Sequence, residues 1–167
     1  KNCDKLVNVA LPNNLKRIER SCFENCVSLK HVFFGNEIIK IGKFAFKNCT
    51  RLENIDFPPS LKVIRLSAFA RCDSMDEICI PENVEELSST AFGYCFGIKK
   101  IIFKGNHPPK KFAFDTFAYP DYPFPNLDPV EIVVPEGTIK KFRGKVEYKI
   151  RNRDSIVREE NEIITAP

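Results

Sequence analysis

The apolar positions of this chain recur every 23 residues from its start to about residue 104. Each unit contains a short alternating stretch such as "LKHVFF", and a proline closes that stretch at Pro12, Pro58 and Pro81. Alternation of this length predicts a β-strand, which the proline ends because it has no N–H to donate to a strand ladder. The rest of each unit is too short for a full helix and a return, so we expect it to turn tightly.

A unit of this size has too few apolar groups to bury its own face, whereas stacked units bury a shared interior. Repeated positions then become ladders that run through the stack. The two clearest ladders are a cysteine column and a phenylalanine column: Cys3, Cys26, Cys49, Cys72 and Cys95, then Phe23, Phe46, Phe69 and Phe92.

The cysteine column is interpreted as core packing, because free cysteine behaves as a small hydrophobe when it is buried. Equivalent Cβ vectors in a ladder point the same way rather than at each other, and the total of seven cysteines is odd, so a disulfide framework is disfavoured. Zinc sites favour close pairs such as C-x-x-C, which the chain lacks. Cys22 stands in a column of small residues otherwise held by alanine.

The unit resembles the leucine-rich repeat of the BspA-like (Treponema-type) family, LxxIxLPxxLxxIxxxAFxxCxxL. The stretch "LENIDFPPSLKVIRLSAFARCDSM", residues 52–75, follows that pattern through strand, proline, isoleucine, Ala-Phe and cysteine. The resemblance implies an α/β solenoid: a right-handed coil with a parallel sheet of short strands on its concave face, capped at the C-terminus. It also implies a cell-surface or secreted protein that binds host or microbial surface proteins.

The repeat register breaks in the fifth unit. Polar residues His107, Lys110 and Asp115 stand where apolar ones are expected, within the proline- and aromatic-rich stretch "NHPPKKFAFDTFAYPDYPFPNLD". We expect a longer, irregular fifth coil in which three phenylalanines compete for the column of Phe92: Phe112, Phe114 and Phe117.

The strand pattern returns at "VEIVVPEG", where Ile132 follows Ile101 by 31 residues instead of 23. Residues 1–137 are therefore interpreted as leucine-rich repeats, with five 23-residue-type coils and a final strand. The segment "PEGTIKKF" resembles the ending of BspA-type arrays, so residues 138–167 are interpreted as a cap with a tail or linker. Within them "VEYKIRNRDSIV" alternates weakly. Because Lys1 lies in the turn before a repeat, the chain is interpreted as the carboxyl end of a longer array.

Composition and motifs narrow the function classes. A net charge of +4 from 26 basic and 22 acidic residues is too balanced to indicate nucleic-acid binding. No apolar run approaches the roughly 18 residues that a membrane span needs. With two histidines and no phosphate-binding loop, nucleophile elbow or zinc-protease motif, we expect no enzyme, metal site or cofactor.

The outward positions of the first strands are the main candidate site, because exposed apolar patches often mark partner surfaces. The ladder Ala10, Phe33, Asp56, Cys79, Ile102 and Val133 has five apolar members, and predicts a nearly continuous apolar stripe. The opposing interpretation is that these residues only suit a strand, or that a neighbour covers them. The predicted partner-binding residues on this concave face are His31, Phe33, Asp56, Glu77, Cys79, Lys100, Ile102, Glu131 and Val133.

An alternative site is a basic ridge on the opposite, convex side, where aligned charges of one sign would attract an acidic glycan. Solvated surface is the plainer explanation, and a purely structural spacer is a third interpretation of the chain. "NCT" at residues 48–50 matches a glycosylation acceptor, but the asparagine column is expected for its turn alone. The predicted polyanion-binding residues are Lys16, Arg17, Arg20, Lys40, Lys43, Lys62 and Arg65.

Overall fold

In a computed structural model that describes residues 1–113, 115–117, 130–143, 145 and 155–161, the chain winds as a parallel-strand β-solenoid. Among these residues, helix is confined to one short segment. The elements in chain order are β1 (Asn8–Ala10), β2 (Arg17–Ile18), β3 (His31–Phe33), β4 (Lys40–Ile41), β5 (Val63–Ile64), β6 (Glu77–Ile80), β7 (Glu86–Leu87), β8 (Lys100–Phe103), β9 (Lys111–Phe112), β10 (Val130–Val134), α1 (Ile139–Phe142) and β11 (Ser155–Glu159).

Each regular coil carries the predicted strand in its first half, and stacked coils pair in parallel at the spacing of the sequence repeat. Val9 lies opposite Val32, and Ile78 lies opposite Ile101. The register predicted from the apolar columns is confirmed for these pairs. We call the outward side of β1, β3, β6, β8 and β10 the first-strand face.

The second half of the coil does more than turn. Two-residue strands there form a five-stranded parallel sheet in the order β2-β4-β5-β7-β9. Its inward residues, such as Ile41 opposite Ile64, belong to the core. The expectation of a tight turn alone was wrong for this half, because one apolar side chain per coil anchors a second ladder. We call the outward side of these strands the second-strand face.

The phenylalanine column is the backbone of the core. Rings of successive coils stack nearly parallel, from 5.0 Å between the centroids of Phe23 and Phe46 to 5.5 Å between those of Phe92 and Phe117. Offset stacking of this kind adds to the energy of burial. The column therefore holds successive coils in one register.

The packing interpretation of the cysteine column is confirmed for four of its five members. Cys26, Cys49, Cys72 and Cys95 are buried among apolar side chains. The thiols of the last three also donate to the carbonyl oxygens of phenylalanines one coil earlier, at 3.0 to 3.3 Å. The prediction was wrong for Cys3, which is exposed because its coil is stacked on one side only in the described structure.

The corner between coils requires left-handed backbone, which the turn interpretation of the asparagine column anticipates. Asn2, Asn25 and Asn48 have φ values of 58°, 61° and 61°. Asparagine tolerates this region better than most residues. Each side chain also donates to the one before it, at 2.8 Å from Asn48 to Asn25, so the amide of Asn48 in the "NCT" stretch already has a structural partner.

The fifth coil is longer, as expected. Lys111 pairs with Glu86, 25 residues earlier, and Ile132 pairs with Ile101, 31 residues earlier. Of the three competing phenylalanines, Phe117 joins the stacked column and Phe112 packs at its edge, 5.9 Å from the ring of Phe103. Phe114 and residues 118–129 lie outside the described residues.

Beyond β10 the chain adds more buried structure. After Gly137, whose φ is +71°, helix α1 places the fully buried ring of Phe142 5.2 Å from that of Phe103. Strand β11 then pairs in parallel with β10, so part of the weakly alternating stretch does form a strand; residues 146–154 and 162–167 lie outside the described part. No helix within the described ranges has the length and apolar character to cross a membrane.

Candidate functional site

The candidate residues on the first-strand face do line one side of the solenoid, but their exposure falls along the stack. Phe33 is the most exposed large apolar side chain of the described residues, at 62%. His31 and Asp56 are also exposed, whereas five others are half-buried: Glu77, Cys79, Lys100, Ile102 and Glu131.

Val133 corrects the sequence prediction, because it is only 3% exposed. Strand β10 has β8 on one side and β11 on the other, so Ile102 and Arg158 flank Val133 on both sides. The stripe predicted to be continuous is therefore a graded surface whose apolar exposure is concentrated at Phe33.

Charged residues of this face are largely paired within the chain. Lys100 lies 3.6 Å from Glu77, and Arg158 bonds to Glu131. Glu53 lies 3.8 Å from Lys30 and 3.7 Å from His31. Asp56 makes no such pair and sits one coil above Phe33.

Two adjoining cavities follow the line from Phe33 towards Cys79. The larger, about 470 Å³, is lined by residues of the second and third coils, including His31, Phe33, Asn54 and Asp56. The smaller, about 280 Å³, lies between the third and fourth coils beside Cys79, Glu82 and Lys104. Both contact Asp56, Phe57 and Pro59, so we treat them as one groove and call it the Phe33 groove.

The groove lies where the first sheet is interrupted. Strands β1 and β3 form one sheet and β6, β8, β10 and β11 form another, with no strand at residues 53–58 between them. The apolar periodicity is unbroken there, which is why sequence reasoning missed the gap. The available signal was Asn54 and Asp56, two poor strand formers in one short segment.

The basic candidates lie on the second-strand face. Lys16, Arg17, Arg20, Lys43 and Lys62 are exposed, and Lys40 and Arg65 are half-buried. Arg65 is neutralised by Glu86 at 2.7 Å, which sets it apart. No ion pair among the described residues involves the other six.

Two features of this cationic surface are unfavourable for the isolated chain. Arg17 and Lys40 are direct partners on adjacent strands, and like charges in that position repel. Phe44, a bulky residue with φ of +59°, is approached by Arg20 at 5.3 Å and by Lys47 at 5.4 Å from its ring centroid. Such backbone is uncommon for a phenylalanine.

Thiol chemistry is suppressed in the core. Burial raises the pKa of Cys49 and Cys95 to about 12, and that of Cys72 well above its ordinary range. Thiolate is the nucleophile and the metal ligand, so these thiols are held inert. In the described residues, no three side chains of the metal-binding types gather into a site.

Comparison with known proteins places these features in context. The family model described as the BspA type leucine rich repeat region matches residues 1–119 in six copies. No curated protein sequence matches the chain.

Solved structures are similar in fold. The pneumococcal vaccine antigen PcpA is 22% identical with a TM-score of 0.65, over 90% of this chain and 41% of its own. The T. pallidum leucine-rich repeat protein TpLRR gives 22% and 0.65, over 93% and 72%. A leucine-rich repeat protein from Bacteroides ovatus gives 19% and 0.56, over 95% and 62%. The chain thus spans about two fifths of the length of the pneumococcal protein.

Proposed function

Because the chain belongs to the BspA-type leucine-rich repeat family, we propose that it is a non-enzymatic, adhesin-like module that binds a protein partner through its first-strand face. The observation that carries the proposal is the exposure of Phe33, 62%, beside the Phe33 groove. An exposed aromatic ring has no folding benefit, and aromatic anchors next to a cavity commonly dominate protein interfaces.

The proposed location is extracellular or at the cell surface, where the partner would be a host or microbial surface protein. The similar pneumococcal structure is named as a vaccine antigen, which supports exposure of that protein to the outside. Protease added to intact cells of the source organism should remove the protein, whereas survival of the whole protein under those conditions would place it inside.

Finer features of the coil are proposed as well. We propose that residues 138–167 close the end of the repeats, and that the coil is right-handed with the first sheet on its concave side, as in an α/β repeat solenoid. Burial of Phe142 against Phe103 supports the closing role. A crystal structure of the whole chain would contradict the proposal if the coil were left-handed.

The test of the binding role uses two exposed apolar residues of the same coil. The chain is screened against purified cell-surface ectodomains by biolayer interferometry, and each binder is measured with Phe33→Ser and with Val27→Ser. Val27 is 40% exposed and lies on a turn, so it is the matched control. We expect Phe33→Ser to weaken binding at least tenfold and Val27→Ser less than twofold. Equal affinity of both variants would contradict the proposal.

A second candidate function is the binding of an acidic glycan by the second-strand face. The specific observation is the set of six basic residues without an ion pair, of which Arg17 and Lys40 directly oppose each other. That arrangement costs stability in the free chain and would become favourable beneath a polyanion. If neither face binds, the spacer role is the remaining interpretation.

A further inference from the structure

The interruption of the first sheet is confined to one side of the third coil. On the other side, β5 pairs with both β4 and β7, and the rings of Phe46 and Phe69 stack at 5.1 Å. Between residues 31–34 and 54–57, all of which are described, the structure has no backbone hydrogen bond; the neighbouring one, from the N–H of Glu53 to the carbonyl of Lys30, is 3.0 Å long. The coils are in register, but one strand is missing.

Asn54 is the local cause. Its side-chain oxygen accepts the N–H groups of Asp76 and Glu77 at 3.1 and 3.0 Å, and its amide donates to the carboxylate of Asp76 at 2.6 Å. A side chain therefore takes bonds that the backbone of the third coil would otherwise make. Asparagine and aspartate are prone to this competition with the backbone.

Backbone groups of β3 are consequently left facing the gap. In the intact part of the sheet, β8 pairs with β6 through four successive residues, whereas β3 has a strand partner only in β1. Exposed strand edges of this kind accept an extended chain, whose own N–H and C=O groups supply the missing partners.

The charges of the groove select among extended chains. Lys104 is held by Glu160 at 2.8 Å, whereas the carboxylates of Asp56 and Glu82 have no ion pair or side-chain hydrogen bond in the described structure. An occupant with a positive charge is therefore favoured in the part of the groove between the third and fourth coils.

We propose that the Phe33 groove binds an extended peptide segment that carries an apolar side chain and a basic side chain two or three residues apart. Adjacent coils are about 4.8 Å apart and an extended chain advances about 3.3 Å per residue. An apolar residue on Phe33 thus places a residue two or three positions further along between Asp56 and Glu82. This inference rests on the proposed protein-binding role and specifies the form of the partner.

The test uses a display library of random ten-residue peptides selected against the whole chain. Enriched peptides are synthesised and titrated by fluorescence anisotropy against the unaltered chain, Phe33→Ser, Asp56→Lys and the control Asp4→Lys. Asp4 is exposed and lies on a turn away from the groove. We expect enrichment of an apolar residue two or three positions from Lys or Arg. Both groove variants should weaken binding at least tenfold, and Asp4→Lys less than twofold.

Hydrogen exchange supplies an independent measurement on the unaltered chain. The amides of Val32 and Phe34 should exchange faster than those of the paired strand β8, and should slow at least fivefold when a selected peptide is bound. No enrichment, or peptides whose affinity survives Asp56→Lys, would overturn the groove proposal. The protein-binding role would still stand if Phe33→Ser alone abolished binding of a folded ectodomain, and it would fail if Phe33→Ser had no effect there.

Discussion

At the scale of single residues, the core thiols make stability depend on pH. Burial holds Cys49 and Cys95 protonated up to a pKa of about 12, whereas an unfolded thiol ionises near 8.5. Above that pH the unfolded chain loses protons that the folded chain keeps, so the free energy of unfolding must fall as pH rises. The stabilising effect is fully present below about 8.5 and is lost towards 12.

Cys95→Ala isolates this effect. The variant should be less stable than the unaltered chain at pH 7, and the difference between the two should shrink above pH 8.5 by up to about 1.4 kcal/mol per pH unit. Urea unfolding under reducing conditions from pH 7 to 10.5 measures both curves. Parallel curves would mean that the Cys95 thiol titrates in the folded chain as it does in the unfolded one.

Strand alternation predicts which way a side chain points, but not what lies over it. It correctly directed Cys49 and Phe69 into the core, and Phe33 to the surface. It failed for Val133, covered from the flanks once β11 joins the sheet, and for Cys3, whose coil has a described neighbour on one side only. Both errors concern neighbours that the residue's own repeat does not encode.

At the scale of the element, the asparagine ladder stops one residue short. The side-chain oxygen of Asn48 is buried without a hydrogen-bond partner, and the next position of the column is Arg71, with φ of +62°. An asparagine there would suit the left-handed backbone, and its amide would reach Asn48 as Asn48 reaches Asn25 at 2.8 Å.

Arg71→Asn should therefore be more stable than Arg71→Ala by about 1–2 kcal/mol, the usual cost of leaving a buried polar group unsatisfied. Both variants lose the contact of Arg71 with the ring of Tyr94, so the comparison isolates the ladder bond. Guanidinium unfolding of the pair measures it. Indistinguishable midpoints would show that Asn48 gains nothing from a further partner.

The 23-residue period predicted the first row of strands, their register and the displaced strand β10, because apolar columns must coincide when coils stack. It did not predict the second sheet, whose strands are two residues long and leave no alternation to detect. Nor did it predict the gap at residues 53–58, because whether Asn54 bonds to its neighbour or leaves its backbone to do so is decided between coils.

At the scale of the whole molecule, the two candidate surfaces differ in charge and in the physics of binding. The Phe33 groove presents an aromatic ring and unpaired carboxylates, so its contacts depend mainly on desolvation of a few anchors. The second-strand face presents cations on the first three coils, and Coulomb attraction at exposed sites is screened within about 8 Å at physiological ionic strength. Salt therefore separates the two functions.

Binding of heparin, used as a model polyanion, should weaken steeply with salt if the second-strand face is the glycan site. The triple variant Lys40→Glu, Lys43→Glu, Lys62→Glu should elute from a heparin column at markedly lower salt than the unaltered chain. The control Lys5→Glu, Lys99→Glu, Lys141→Glu makes the same change in net charge at exposed lysines outside this face, and should elute close to the unaltered chain. Equal losses in both triples would show that heparin responds to net charge alone, because only a site on the second-strand face makes position matter.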